Sequence, residues 1–194
     1  MENLKINNLS KDIDDVLSDI KVRTPVKLRD YTPKILVDNG IKDLPMYENP
    51  SHIRKNILTD AEAKKLGLAI NPKDNYHGLG KKVYMDVIDS LDNPRVIFKN
   101  KTNKDYLILT TLKDNNYNNI IVPLEIETST FVNNVNIDTN RIKSIYGFNN
   151  VYYSLNEYIK HNINQNIFEK IYEQKRKSST SNISQSTSTT NNVP

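Results

Sequence analysis

The chain contains no cysteine. That absence removes disulfides, cysteine-ligated zinc, iron–sulfur clusters and a thiol nucleophile together. It leaves a chain that can fold in an oxidising or a reducing compartment. Long apolar runs are missing as well. No stretch approaches the ~20 apolar residues that a membrane span requires, and MENLKINN lacks the apolar core of a signal peptide. No segment repeats at the periods of solenoids or propellers. No helix-turn-helix pattern carries a basic recognition helix, which argues against a DNA-binding protein. Histidine is scarce, with three among 194 residues, so proton transfer by imidazole near neutral pH has few places to occur.

What is present is a polar but ordinary soluble composition, long enough for one domain and a tail. The 27 basic residues against 23 acidic ones give a net charge of +4. This favours an anionic partner without reaching the charge density of a protein that coats DNA. Abundant Asn, Lys, Ile and Tyr fit an AT-rich coding bias, which dilutes the meaning of any single lysine.

Leu9, Ile13, Val16, Leu17 and Ile20 fall on one face of a helix over residues 9–21, with Ser10 as its N-cap and Asp12, Asp14 and Asp15 in the first turn. Prolines 25, 33, 45 and 50 break residues 22–50 into short pieces and turns. Thr59 and Glu62 have capping-box spacing for a short helix ending near Gly67, and NPKDNYHG reads as a loop. Leu79, Val83, Tyr84, Val87, Ile88 and Leu91 predict a helix over 79–91 that Asn93-Pro94 stops.

Beyond Pro94 the hydrophobic period changes from 3.6 to 2. RVIFK, DYLILTTL and NIIVPLEI read as strands, with Ile120, Val122, Leu124 and Ile126 as one inward face. Pro123 points its strand towards an edge or a position with no N–H to pair. A further strand is expected at about 137–146, then a short helix around Leu155, Tyr158 and Ile159, and NIFEKIY as a last strand. Residues 178–194 are Ser/Thr/Asn-rich and expected to be disordered, because they have nothing apolar to bury. The division that results is an N-terminal helical segment at 1–30, one domain at 31–177 and the tail. The expected class is α+β, with N-terminal helices packed against one face of a mostly antiparallel sheet of at least four strands. The other face is left for a ligand.

Several residues could carry chemistry. His77 stands in YHGLG at the approach to the 79–91 helix, and Gly78 beside it allows an unusual turn. His52, Arg54 and Lys55 in SHIRKNI could hold a phosphate, the guanidinium bidentately and the lysine as a point charge. Regular alternation along NRIKSIYG would put Ile142, Ser144 and Tyr146 on one face and Arg141, Lys143 and Ile145 on the other. A serine and a tyrosine two apart can both hydrogen-bond a phosphate, and the tyrosine can stack a base. Lys143 adds charge on the opposite face. Glu125 and Glu127 share a strand face in this reading and offer a general base. A solvent-exposed loop histidine, a solvated helix face and a tyrosine packed over the edge of the core account for the same residues equally simply.

Taken in order, SHIRKNI, YHGLG, NPRVIFKNKT, NIIVPLEI and NRIKSIYGF run from His52 to Gly147, with TPKILVDNGIKDLPMY upstream as a lead-in. Together they resemble the C-terminal domain of MuF-type phage head proteins, a family grouped with nuclease toxins of the barnase, EndoU, colicin and RelE-like fold. The resemblance implies a small nuclease whose sheet carries the active site, with His77 at a position where the family has a histidine. It implies metal-independent RNA cleavage through the ribose 2′-OH, leaving a cyclic phosphate and requiring no cofactor.

Such a reaction needs a base, an acid and donors for the charged phosphorane, roles that His, Tyr, Ser, Lys and Arg can fill. The site residues expected on this reading are His77, Ser144 and Tyr146 in one cleft. His52, Arg54, Lys55 and Lys143 are expected at the phosphates. The partners implied are RNA and an immunity or phage structural protein, with no membrane. The place of action is the host cytoplasm, reached with a phage particle. The alternative is a non-catalytic phage protein-binding module of the same fold.

Overall fold

The computed structural model describes residues 2–70, 76–103, 105–149 and 154–175, with side chains from residue 8 onward. Its centre is a sheet of eight strands with helices before and after it. In chain order the elements are α1 (Glu2–Ser18), β1 (Val26–Arg29), α2 (Lys34–Val37), β2 (Met46–Glu48), α3 (Pro50–Ile57), α4 (Asp60–Lys65) and α5 (Gly80–Ser90). There follow β3 (Val96–Asn100), β4 (Asp105–Lys113), β5 (Asn119–Val132), β6 (Val135–Ile142), β7 (Tyr146–Gly147), α6 (Leu155–Asn164) and β8 (Phe168–Glu173). The strands lie in the order β1-β2-β6-β5-β4-β3-β8, with β7 paired to β5. Only β2 against β6 is parallel among the pairings described. The class is α+β, as the change of period predicts.

One face of the sheet makes the main core. Ile120, Val122, Leu124 and Ile126 of β5 meet Ile13 and Val16 of α1, Ile53 and Ile57 of α3, and Tyr84, Val87 and Ile88 of α5. Alternation on the strand and the 3.6 period on the helices present these residues to one another. Residues 26–29, expected within a helical N-terminal segment, form the edge strand of the sheet. The expected disordered tail, 178–194, lies outside the described residues.

The opposite face is not left open along its length. Leu155, Tyr158 and Ile159 of α6 pack over Val96, Phe98, Leu107, Leu109 and Ile121. These strand residues occupy the alternate positions of central strands, which need cover on both sides. Ser154 and Glu157 form the capping box that starts α6.

Pro123 sits in a central strand rather than at an edge. Its carbonyl accepts from the Lys143 N–H at 3.0 Å. In a strand the N and C=O of one residue point the same way, so its missing N–H faces the break between β6 and β7. The second of the two expected positions is the one observed, and the break is what tolerates the proline.

The expected strand at 137–146 is interrupted there. β6 ends at Ile142, residues 143–145 leave the ladder, and β7 resumes at Tyr146. Ile142 and Ile145 both enter the main core, while Tyr146 packs with the opposite-face cluster, so the simple alternation over NRIKSIYG does not hold. Glu125 and Glu127 do not share a regular face either. A bulge shifts the register between Glu125 and Thr128, and Glu127 adopts a φ of 49°.

Candidate functional site

His77 is held by the end of α3. The last carbonyls of a helix have no partner within it, and here the chain returning at residues 77–79 supplies donors. His77 N–H donates to Lys55 O at 2.7 Å, Gly78 to Leu58 O at 3.0 Å, and Leu79 to Asn56 O at 3.1 Å. Gly78 has a φ of +61°, and a Cβ there would lie 2.9 Å from the Thr59 methyl. Both the turn and the approach to Thr59 call for glycine.

The interruption between β6 and β7 brings Ser144 and Tyr146 to this loop. Ser144 Oγ lies 3.2 Å from His77 Nε2. The Tyr146 ring stacks on the imidazole, with centroids 5.2 Å apart and 27° between planes. All three side chains are half-buried. Burial, and then the nearby Lys55 charge, holds the His77 imidazole below its ordinary pKa, so it is neutral near pH 7. Burial raises the Tyr146 phenol, which stays protonated and able to donate. His77 also lines a cavity of about 230 Å³ with Thr59, Asp60, Tyr76 and Asp114–Asn116.

Behind Ser144 lies a polar chain into the core that the sequence reading did not find. Asn56 Oδ1 accepts from Ser144 Oγ at 3.2 Å and from Ile145 N–H at 3.1 Å. Asn56 Nδ2 donates to Glu48 Oε1 at 2.7 Å, and Tyr84 Oη donates to Glu48 Oε2 at 2.5 Å. Glu48 and Tyr84 are fully buried. Burial pushes the Glu48 carboxyl up to about 8, against the lowering effect of its two donors. One signal for Asn56 was present: it shares a helical face with Ile53 and Ile57, where a polar residue is out of place. Glu48 had none, because it sits in a three-residue strand too short to show a period.

The remaining candidates are placed unequally. Arg54 is 3 % exposed. Its guanidinium donates to the carbonyls of Val16, Asp19 and Val22 at 2.9, 2.8 and 3.2 Å, closing the C-terminal end of α1. It is engaged inside the fold rather than at the surface, which leaves it unsuited to the expected phosphate contact. Lys55 stays with the site, close enough to lower the pKa of both His77 and His52. His52 is half-buried, its Nδ1 has no hydrogen-bond partner among the described residues, and burial lowers its pKa first, then Lys55 and Arg141. Lys143 is exposed and ion-paired with Asp105 at 2.9 Å, a bond weak enough at a surface to be exchanged for another anion. Glu125 is paired with Arg141 across the β5–β6 ladder. No group of three or more His, Cys, Asp or Glu is gathered as a metal site among the described residues.

Residues 69–180, more than half of the chain, match the family model of the phage MuF C-terminal domain. The chain belongs to that phage family. The matched span holds His77, Ser144 and Tyr146 and runs past Gly147, the last residue of the motifs that carry the resemblance, to just beyond the expected domain end at 177. It starts after SHIRKNI and the lead-in segment, so Glu48, His52, Lys55 and Asn56 come from sequence preceding the matched MuF domain. Comparison with curated proteins and with solved structures finds no match. No described helix is long and apolar enough to cross a membrane.

Proposed function

We propose that this MuF-family chain is a metal-independent endoribonuclease, a phage-associated or toxin effector that cleaves RNA by attack of the ribose 2′-OH. The observation that supports this reading is the meeting of His77, Ser144 and Tyr146 beside a cavity and the Lys55 charge. A neutral imidazole is the form that can take a proton. In the proposed step the 2′-oxygen bonds to phosphorus, its proton passes to His77, and the bond from phosphorus to the 5′-oxygen breaks. The leaving oxygen takes a proton from water, and the product is a 2′,3′-cyclic phosphate. Tyr146 donates to the phosphorane oxygens, Ser144 holds the His77 ring in place, Lys55 and Lys143 offset phosphate charge, and His52 offers a ring nitrogen to hydrogen-bond a phosphate.

RNA is the proposed partner, with an immunity or phage structural protein as a second one. The proposed place of action is the host cytoplasm. The test is incubation of the purified full chain with total RNA in EDTA. Discrete fragments with cyclic-phosphate ends are expected.

A second reading, a non-catalytic protein-binding module, draws on a specific feature. The Ser144 hydroxyl is engaged by Asn56 and the His77 ring is covered by Tyr146, so the trio also serves packing. Intact RNA after prolonged incubation, together with RNA binding that is absent or indifferent to salt, would select this reading.

A further inference from the structure

We infer that the buried pair Glu48 and Asn56 are positioning residues that fix the tautomer of His77, keeping its proton on Nε2 and leaving Nδ1 as the basic nitrogen. The argument begins at Ile145. A backbone N–H can only donate, so the Asn56 atom 3.1 Å from it is the carbonyl oxygen. Asn56 Nδ2 must then point the other way, where Glu48 Oε1 accepts at 2.7 Å. Tyr84 holds the second carboxyl oxygen of Glu48. An amide flip would set Nδ2 against the Ile145 N–H, two donors facing in a site that is 1 % exposed at Asn56. The flip is therefore closed.

Asn56 Oδ1 presents only lone pairs to Ser144 Oγ at 3.2 Å, and the single hydroxyl proton goes there. Ser144 then has only lone pairs left for His77 Nε2 at 3.2 Å, which must carry the hydrogen. The opposite arrangement, with Ser144 donating to His77, would leave two oxygens facing each other without a hydrogen between them. Uptake of a proton at Nδ1 changes no bond in the chain from Glu48 to His77. Under the nuclease reading, on which this consequence rests, the 2′-OH must approach Nδ1, and Ser144 is a donor acceptor link rather than a nucleophile.

The test reads the tautomer on free protein, without RNA. The full chain is labelled with ¹⁵N-histidine, His77→Gln identifies the signals, and imidazole nitrogen shifts are recorded above the His77 pKa. Wild type is expected to show a single Nε2–H tautomer. Glu48→Gln, whose amide can serve both Asn56 and Tyr84, should keep it. Asn56→Leu should lose it, giving a mixture. Should Asn56→Leu not fold, Ser144→Ala cuts the same chain at its outer end and should also give a mixture. An Nδ1–H or mixed tautomer in wild type, or an unchanged tautomer in folded Ser144→Ala, would overturn the assignment. Absence of RNA cleavage would sink the nuclease reading and leave this result standing.

Discussion

Ser144 Oγ meets His77 Nε2 at 3.2 Å across 67 residues of sequence, and the meeting depends on two irregularities. One is the left-handed Gly78 that turns the chain into α5. The other is the three-residue gap between β6 and β7 that lifts Ser144 out of the ladder.

If this pair works on RNA, His77→Ala should lower cleavage by about 10²–10⁴-fold while leaving the fold intact, the usual range for loss of a general acid or base. Rates on a defined RNA, with circular dichroism of the variant, check both halves. Undiminished cleavage would remove His77 from the mechanism.

The two neighbours Arg54 and Lys55 should behave differently. Arg54→Ala leaves the end of α1 without its donors and should cost about 1.5–3 kcal/mol or more, since charged hydrogen bonds inside a fold contribute that much. Lys55→Ala should barely alter stability and should weaken RNA binding for all sequences alike, with a shallower dependence on salt. Denaturant melts and binding titrations at several salt concentrations separate the two.

Lys55 also bears on pH. Burial is the first cause that holds His77 below 6.5, and Lys55 is the second. Activity that needs neutral imidazole should therefore persist to below pH 6.5 and fall off only under more acid conditions. Lys55→Met should move that acid limb upward. A limb that stays put would show that the lysine charge does not reach the imidazole.

Glu48 predicts a pH dependence of folding with the opposite sense from an ordinary carboxylate. Its pKa in the fold is about 8 against 4.5 for the free side chain, so the folded state holds its proton more tightly than the unfolded one. The stability is fully present below pH 4.5 and is lost as pH rises from there to about 8, by on the order of 5 kcal/mol. His52 and His77, depressed in the fold, act the other way and lose stability as pH falls through 6.5. Glu48→Gln should flatten the alkaline slope in urea melts taken from pH 5 to 8.

Gly147 faces Asp114 so closely that a Cβ would lie 1.9 Å from Asp114 Oδ2. Asp114 accepts from the N–H groups of Asn116 and Asn118 and holds the turn that walls the cavity beside His77. Gly147→Ala should displace that turn and raise amide exchange at residues 115–118. Unchanged exchange would mean that the Asp114 side chain yields without disturbing its turn.

The sequence by itself determined the elements with a clear period or cap. The stripe from Leu79 to Leu91, the inward face of Ile120 to Ile126, and the box of Thr59 with Glu62 each express a local rule, and local rules are written in neighbouring residues. It also singled out His77, Ser144 and Tyr146 as chemically suitable side chains. Only the tertiary structure decided what these side chains touch. Arg54 and Lys55 are adjacent letters, yet α3 turns one towards the end of α1 and leaves the other near two histidines. Glu48 and Asn56 gained their place behind Ser144 because a short parallel seam of β2 on β6 sets α3 against the break in the sheet. Such neighbours are chosen by packing across distant parts of the chain, for which the sequence has no periodic sign.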